Sequence, residues 1–160
     1  MDPSQCKRFQ EGIIRHQKLT LPESGELYPG TRMMLEKLVC EGFGIAICSN
    51  ADVGYIRLVA ESLGIIDLID SMAGADGDAS KTARVGRLVA EMDAPFSVMT
   101  GDRYHDIQAA AENGIPSIGC LYGYGGLEEM RNADRTVHSA SEIWGVIMEL
   151  LSDAVSTPGS

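Results

Sequence analysis

The sequence predicts an α/β fold of three layers, in which helices cover both faces of a doubly wound parallel sheet. From residue 30 onward, short apolar runs alternate with segments whose apolar residues have helical spacing. Glycine-containing joints separate these segments, as is typical where a strand passes into a helix through a short loop. Apolar runs such as 45–48 lack polar alternation, which indicates strands buried on both faces, as in parallel sheets.

Capping residues set the boundaries of these elements. Asp52 and Ser80 are expected N-caps of the second and third helices, and Gly64 and Gly114 follow helix ends. The segment at 136–138 reads as a weak edge strand before the last helix. The predicted helices are 30–41, 52–62, 80–92, 104–113 and 141–151, and the predicted strands are 45–48, 68–73, 96–100, 117–122 and 136–138.

Residues 1–28 do not share this alternation. Residues 5–17 have the spacing of one amphipathic helix, and a connector containing Pro and Gly follows. We therefore expect an attached segment over 1–28, an α/β core over 29–152 and a disordered tail over 153–160.

Charge and composition exclude several classes of function. The net charge is −10, so the basic surface that nucleic-acid binding requires is missing. No apolar run approaches the roughly 20 residues of a membrane span. The four cysteines show no C-x-x-C spacing, which favours a reduced, cytoplasmic setting. The acidic balance also suits a bound cation, although solubility alone explains it.

Two candidate phosphate-binding positions lie at the carboxyl edge of the predicted sheet, where doubly wound folds bind ligands. Ser49 and Asn50 follow the strand 45–48, where a hydroxyl and backbone N–H groups can hold phosphate oxygens. A turn with a helix cap is the alternative interpretation. Lys81 starts a helix, where its charge opposes the helix dipole, so either an anionic partner or simple solvation must explain it.

A third constellation follows the predicted strand 96–100. Gly101 permits a sharp turn, Asp102 lies at its tip, and Asp106 follows on the first turn of the next helix. Two carboxylates that converge at a strand end suit a hard cation such as Mg²⁺. The alternative is a helix start with acids favoured by the dipole.

These three motifs, in this order, resemble the haloacid dehalogenase (HAD) superfamily of phosphotransfer enzymes. The likeness covers residues 28–152 and is strongest to the phosphoglycolate-phosphatase-like branch, above all over 101–125. It implies a Mg²⁺ cofactor and a small phosphorylated metabolite as substrate. It also implies an aspartyl-phosphate mechanism, in which positioning and charge neutralisation supply most of the catalysis.

The resemblance assigns a role to each matching residue. Ser49 and Asn50 match the phosphate-binding motif, and Lys81 matches the catalytic lysine that steadies the nucleophile and the transferring phosphoryl group. Asp102 matches the direct Mg²⁺ ligand, and Asp106 matches the acid that ligates the metal or orients its water shell.

The sequence departs from the family pattern at the nucleophile. The family's Asp-x-Asp-Gly-Thr motif, on a first strand ahead of the cap, has no counterpart before Ser49. Residues 5–28 resemble the last cap helix and its return linker. We therefore expect a truncated HAD core without its first strand and with only a remnant of the helical cap, inactive or weakly active. Asp76-Gly77-Asp78 comes after Ser49 rather than before it, so a solvated acidic loop is expected there.

The absent strand has structural consequences, because in the family it lies between the strands that match 45–48 and 96–100. Each backbone group left buried without a partner costs about 1–3 kcal/mol. We expect direct pairing of the two neighbours, a strand exchanged in a homodimer, or a partner chain that supplies the strand.

Two other functions remain open at this stage. One is a non-catalytic protein on the HAD core that binds a phosphorylated ligand or serves as a subunit. The other is a receiver-like signalling domain, which the order of the motifs fits poorly.

Overall fold

The computed structural model describes residues 25–75, 77 and 79–156. The predicted helix at 5–17 and the acids Asp76 and Asp78 lie outside the described residues. The helices are α1 Thr31–Cys40, α2 Val53–Ser62, α3 Lys81–Met92, α4 Tyr104–Glu112, α5 Gly126–Met130 and α6 Ile143–Ser156. The strands are β1 Ala46–Cys48, β2 Ser71–Ala73, β3 Met99–Gly101, β4 Ser117–Cys120 and β5 Arg135–Val137, with 3₁₀ turns at Ile66–Leu68 and Ala140–Glu142.

All strand pairs in the described part of the chain are parallel, as predicted, but they form two separate sheets. One sheet has the order β1-β2 and the other has the order β3-β4-β5. No ladder joins β1 to β3 among these strands. Direct pairing of 45–48 with 96–100, one of the three arrangements expected from the sequence, therefore does not occur in the described structure.

Backbone groups of β1 and β3 face this gap. In a parallel strand, successive residues direct their N–H and C=O groups to opposite neighbours. Ser49 N donates to Ala73 O, so the neighbouring Cys48 directs its backbone away from β2. Met99 N donates to Pro116 O, so Thr100 directs its backbone away from β4. The residues of β1 and β3 are only half-buried, whereas all four of β4 are buried.

Helices join the two half-sheets into one layered core. On one face, α3 contacts β1 and β2, α4 contacts β3 and β4, and the two helices pack against each other. On the other face, α1 and α6 cover Ile118 and Cys120 of β4, while the intervening Gly119 faces Met130 of α5. Met34 and Ile45 are half-buried and join two apolar clusters, one that contains Ile118 and one formed by Leu35, Ala60 and Ile65. Helix packing therefore holds the halves together where backbone pairing does not.

Several element boundaries differ from the prediction. The strand predicted over 68–73 is replaced at its start by a 3₁₀ turn, and only Met99 and Thr100 of the strand predicted over 96–100 pair with β4. The short helix α5 was not predicted. Helix α6 continues to Ser156, so residues 153–156 are helical rather than part of the tail. No helix in the described ranges is long and apolar enough to cross a membrane.

Candidate active site

Lys81 and Asp106 form a buried ion pair at the carboxyl edge of the sheets. Lys81 is the first residue of α3, where Ser80 caps the helix by accepting from Ala83 N at 3.2 Å. Asp106 lies in the first turn of α4, and its Oδ1 contacts Lys81 Nζ. The two side chains are 14% and 6% exposed. A carboxylate partner therefore explains the lysine at this helix start, rather than solvation.

The loop after β3 wraps around the carboxylate of Asp106. Arg103 N donates to Asp106 Oδ2 at 3.1 Å, and a Cβ at position 101 would overlap the same carboxylate. Asp102 lies between these two contacts, partly exposed, and its Oδ2 accepts from Tyr124 N at 2.7 Å. The structure thus brings Asp102 and Asp106 to one loop, as predicted. Gly101 does not have a positive φ, so its backbone conformation does not require glycine. Glycine is needed there because Asp106 approaches too closely for a side chain.

Ser49 and Asn50 follow β1 at the same edge, as predicted. Ser49 Oγ accepts from Ala51 N at 3.1 Å, which leaves its hydroxyl proton free to donate. Asn50 Oδ1 accepts from Arg84 Nη2 at 2.7 Å, so the Asn50 amide group retains its own N–H donors. Within the described residues, no hydrogen bond or ion pair joins Ser49 or Asn50 to Lys81, Asp102 or Asp106.

The sequence matches a known enzyme family over most of its length. The family model described as haloacid dehalogenase-like hydrolase matches residues 2–120, which is more than half of the chain. The chain belongs to this family. The fold agrees: a predicted phosphoglycolate phosphatase from Haemophilus somnus superposes with a TM-score of 0.79 at 21% identity, over 92% of this chain and 68% of that one.

Curated relatives narrow the resemblance within the HAD family. The phosphoglycolate phosphatase of Rhodospirillum rubrum is 31% identical over 103 residues, which cover 61% of this chain and 43% of that enzyme. The phosphoglycolate phosphatase of Colwellia psychrerythraea is 32% identical over 117 residues, which cover 70% and 52%. The chain spans about half the length of the curated relatives that it matches. The predicted likeness to the phosphoglycolate-phosphatase-like branch is confirmed.

The donor set of this HAD core fits Mg²⁺. Asp102 and Asp106 offer hard carboxylate oxygens from one loop, and Mg²⁺ needs few protein ligands because it keeps several waters. No group of three or more His, Cys, Asp or Glu side chains that could hold a metal occurs within the described ranges. Lys81 is paired with Asp106, whereas Asp102 has no ion-pair partner among the described residues.

A second ion pair fixes the far end of the segment 101–106, which begins at the end of β3 and is here called the acidic loop. Glu129 Oε2 accepts from both Arg103 Nε and Tyr104 N at 2.9 Å. These hydrogen bonds from Arg103 and Tyr104 lower the pKa of the Glu129 carboxyl, and the same partner raises the pKa of Arg103. Arg103 thus holds the loop to α5. His105 is exposed, with its ring 4.2 Å from that of Tyr104.

A neutral aromatic wall stands behind the acidic loop. Burial raises the pKa of the Tyr122 phenol, and the neighbouring Cys120 raises it further. Burial likewise raises the pKa of the Cys120 thiol. The Tyr122 ring meets the Tyr28 ring edge-on with centroids 5.0 Å apart. The Tyr122 phenol and the Cys120 thiol therefore stay uncharged at neutral pH, and the negative charge of the loop comes from its acids.

Sequence reasoning missed three groups that support the site. Arg84 is 5% exposed and also donates to Ala79 O at 2.6 Å, so it ties α3 to the end of β1. Its position beside the apolar Val85 and Leu88 on the buried face of the helix was a readable signal, since an arginine there needs acceptors. Glu129 and the Tyr124 N–H gave no such signal, because their partners lie more than 20 residues away in sequence.

Proposed function

We propose that this chain carries the phosphate- and magnesium-binding half of a HAD phosphatase that acts on small phosphate monoesters, as phosphoglycolate phosphatases do. The observation that carries the proposal is the buried Lys81–Asp106 pair beside Asp102 at the carboxyl edge of a parallel fold. The ligand would be a small phosphorylated metabolite, not a nucleic acid or a membrane surface. A cytoplasmic location suits a protein that acts on such metabolites.

The residues have complementary tasks toward a phosphate group. The Lys81 ammonium supplies positive charge toward the phosphoryl oxygens while Asp106 holds it in place. The Ser49 hydroxyl and the Asn50 amide supply hydrogen-bond donors. Asp102 would hold Mg²⁺ directly, and Asp106 would orient its water shell. The ion would neutralise the charge on the transferring group.

The nucleophile has no identified residue in this site. Asp102 and Asp106 are engaged with Tyr124 N, Lys81 and Arg103 N, and Asp76 and Asp78 lie outside the described residues. We therefore expect the isolated chain to bind phosphate with Mg²⁺ and to hydrolyse esters weakly or not at all.

The test combines binding and turnover on the purified chain. Inorganic phosphate would be titrated with and without Mg²⁺, and hydrolysis of phosphoglycolate and p-nitrophenyl phosphate would be followed in parallel. We expect Mg²⁺-dependent phosphate binding that Asp102→Asn weakens at least tenfold. Asp67→Asn is the matched control, because this exposed acid precedes β2, at the opposite edge.

Three results would change the proposal. Phosphate binding that ignores Mg²⁺ and Asp102 would overturn it. Turnover that is lost in Asp102→Asn would establish an active enzyme. Loss in Asp76→Ala as well would make Asp76 the candidate nucleophile.

A second candidate function is a non-catalytic protein that binds a phosphorylated ligand or acts as a subunit. The specific observation that favours it is the gap between β1 and β3, beside a site without an identified nucleophile. Mg²⁺-dependent phosphate binding without turnover would support this function over the first, provided that turnover is also absent when a strand from a second copy or a partner chain fills the gap.

We further infer that a strand fills this gap, either exchanged in a homodimer or supplied by a partner chain. The backbone groups of β1 and β3 that face the gap have no ladder partner in the described part of the chain, and unpaired strand edges readily pair with other strands, which supports this proposal. Light scattering over a range of concentrations distinguishes the two sources. A dimer with protected β1 and β3 amides would favour exchange, and a monomer with unprotected amides would favour a partner. A monomer with protected amides would overturn the inference.

A further inference from the structure

The loop after β4 packs against Asp102 so closely that it admits no side chain at two positions. A Cβ at position 123 would overlap the Asp102 carboxylate. A Cβ at position 125 would overlap the Asp102 carbonyl oxygen and lie 3.1 Å from Glu129 Oε2. Neither residue has a positive φ, so close approach, and not backbone strain, is what requires glycine there.

The same segment also makes polar contacts to the acidic loop. Tyr124, between the two glycines, donates its backbone N–H to Asp102 Oδ2 at 2.7 Å. Glu129 accepts from Arg103 Nε and Tyr104 N, on the far side of Asp102. Residues 123–129, here called the clamp, therefore hold the acidic loop both before and after its turn into α4.

We propose that the clamp positions Asp102 for the metal, so that Gly123, Gly125 and Glu129 are positioning residues for magnesium affinity. The inference rests on the proposed magnesium site. With Oδ2 fixed by Tyr124 N, Oδ1 is the oxygen that remains for the ion. Because Mg²⁺ demands near-octahedral geometry, a small rotation of this carboxylate weakens its binding.

The test is calorimetric titration of the full chain with Mg²⁺ alone. We expect Gly123→Ala to raise the Kd for Mg²⁺ at least tenfold, because the added methyl group displaces the carboxylate. In an Asp102→Asn background, the same substitution should cause no further loss. A general loss of structure would not show this dependence on Asp102.

Two control variants and one substitute keep the test sharp. Gly145→Ala adds a methyl group on α6 with no atom within 4 Å and should leave the Kd unchanged. Val155→Ala changes a residue that is 77% exposed on α6, so it too should leave the Kd unchanged. Should Gly123→Ala unfold in urea far below the wild type, Glu129→Gln replaces it, with an expected rise of at least threefold.

The outcomes separate the two proposals. A wild-type chain that binds no Mg²⁺ would overturn the magnesium site and this inference with it. Normal Mg²⁺ binding by the wild type together with unchanged affinity in Gly123→Ala and Glu129→Gln would overturn the clamp alone.

Discussion

At the scale of single residues, Lys81 and Asp106 form the most buried of the ion pairs between described residues. A buried pair is weak evidence for stability as a whole, because desolvation opposes the attraction. Removal of one member, however, leaves an uncompensated charge. Replacing one member of the pair should therefore lower the free energy of unfolding more than replacing both.

We predict that Lys81→Met lowers the free energy of unfolding by about 3–5 kcal/mol, because it strands the Asp106 carboxylate. The double variant Lys81→Met/Asp106→Asn should recover most of this loss, since Asn keeps an acceptor for Arg103 N. Urea unfolding at pH 7 measures both. A single variant within about 0.5 kcal/mol of the wild type would contradict the pairing, given that surface changes usually fall in that range.

The Arg103–Glu129 contact gives the site a dependence on pH. Because the folded-state pKa of Glu129 lies below its unfolded value, its contribution to stability is fully present above the unfolded pKa, about 4.3. That contribution is lost as the pH falls through the lower folded-state value.

We predict that wild type and Glu129→Gln differ in urea midpoint at pH 6 and that this difference shrinks as the pH falls below about 4. Glu128→Gln is the matched control, because Glu128 is a 91% exposed neighbour whose only described partner is Arg131, at 3.8 Å. A difference that stays constant down to pH 3 would show that the charge of Glu129 does not contribute.

At the scale of elements, Arg84 connects α3 with the end of β1. Its guanidinium donates to Asn50 Oδ1 and to Ala79 O, and it is almost fully buried. Since β1 has no partner toward β3 among the described strands, this side chain is one of the links between the half-sheet β1-β2 and the helix that carries Lys81.

We predict that Arg84→Met lowers the free energy of unfolding by about 1–3 kcal/mol, because it leaves two acceptors without donors. It should also weaken phosphate binding, since Asn50 loses its anchor. Arg87→Met is the control, as Arg87 is 59% exposed on the same helix and Glu91 is its ion-pair partner among the described residues. Equal effects of the two substitutions would argue against the link.

At the scale of the whole molecule, the gap between β1 and β3 divides the sheet but not the core. Helices α3 and α4 pack on each other on one face, and Met34 and Ile45 join two apolar clusters on the other. The fold therefore keeps its layers, while the facing edges of β1 and β3 have no strand partner among the described residues and could pair with another chain.

We predict that hydrogen exchange is faster at the Cys48 and Thr100 amides, which face the gap, than at Ile118 and Gly119 in β4. Exchange read by NMR on a monomeric sample measures this difference directly. Equal protection in a monomer would mean that the gap is closed in solution. Equal protection only in a dimer would point to an exchanged strand.

Much of this protein could be predicted from local sequence. The alternation of apolar runs and helical segments predicted the parallel α/β order. The side chains of Asp52 and Ser80 cap α2 and α3 as expected. The positions of Ser49, Lys81, Asp102 and Asp106 were also predicted, since each follows or opens an element and ladder direction places such positions at one edge.

Tertiary structure alone decided how these parts meet. The pairing of Lys81 with Asp106, the anchoring of Asn50 by Arg84 and the clamp on Asp102 all join residues that are 21 to 34 positions apart in sequence. The separation of β1 from β3 was likewise outside local reach, because it depends on helix packing across both faces. Sequence determined the elements and the chemistry at their ends, because propensity, capping and hydrophobic period act over a few residues. The contacts that orient that chemistry arise only when distant segments pack together.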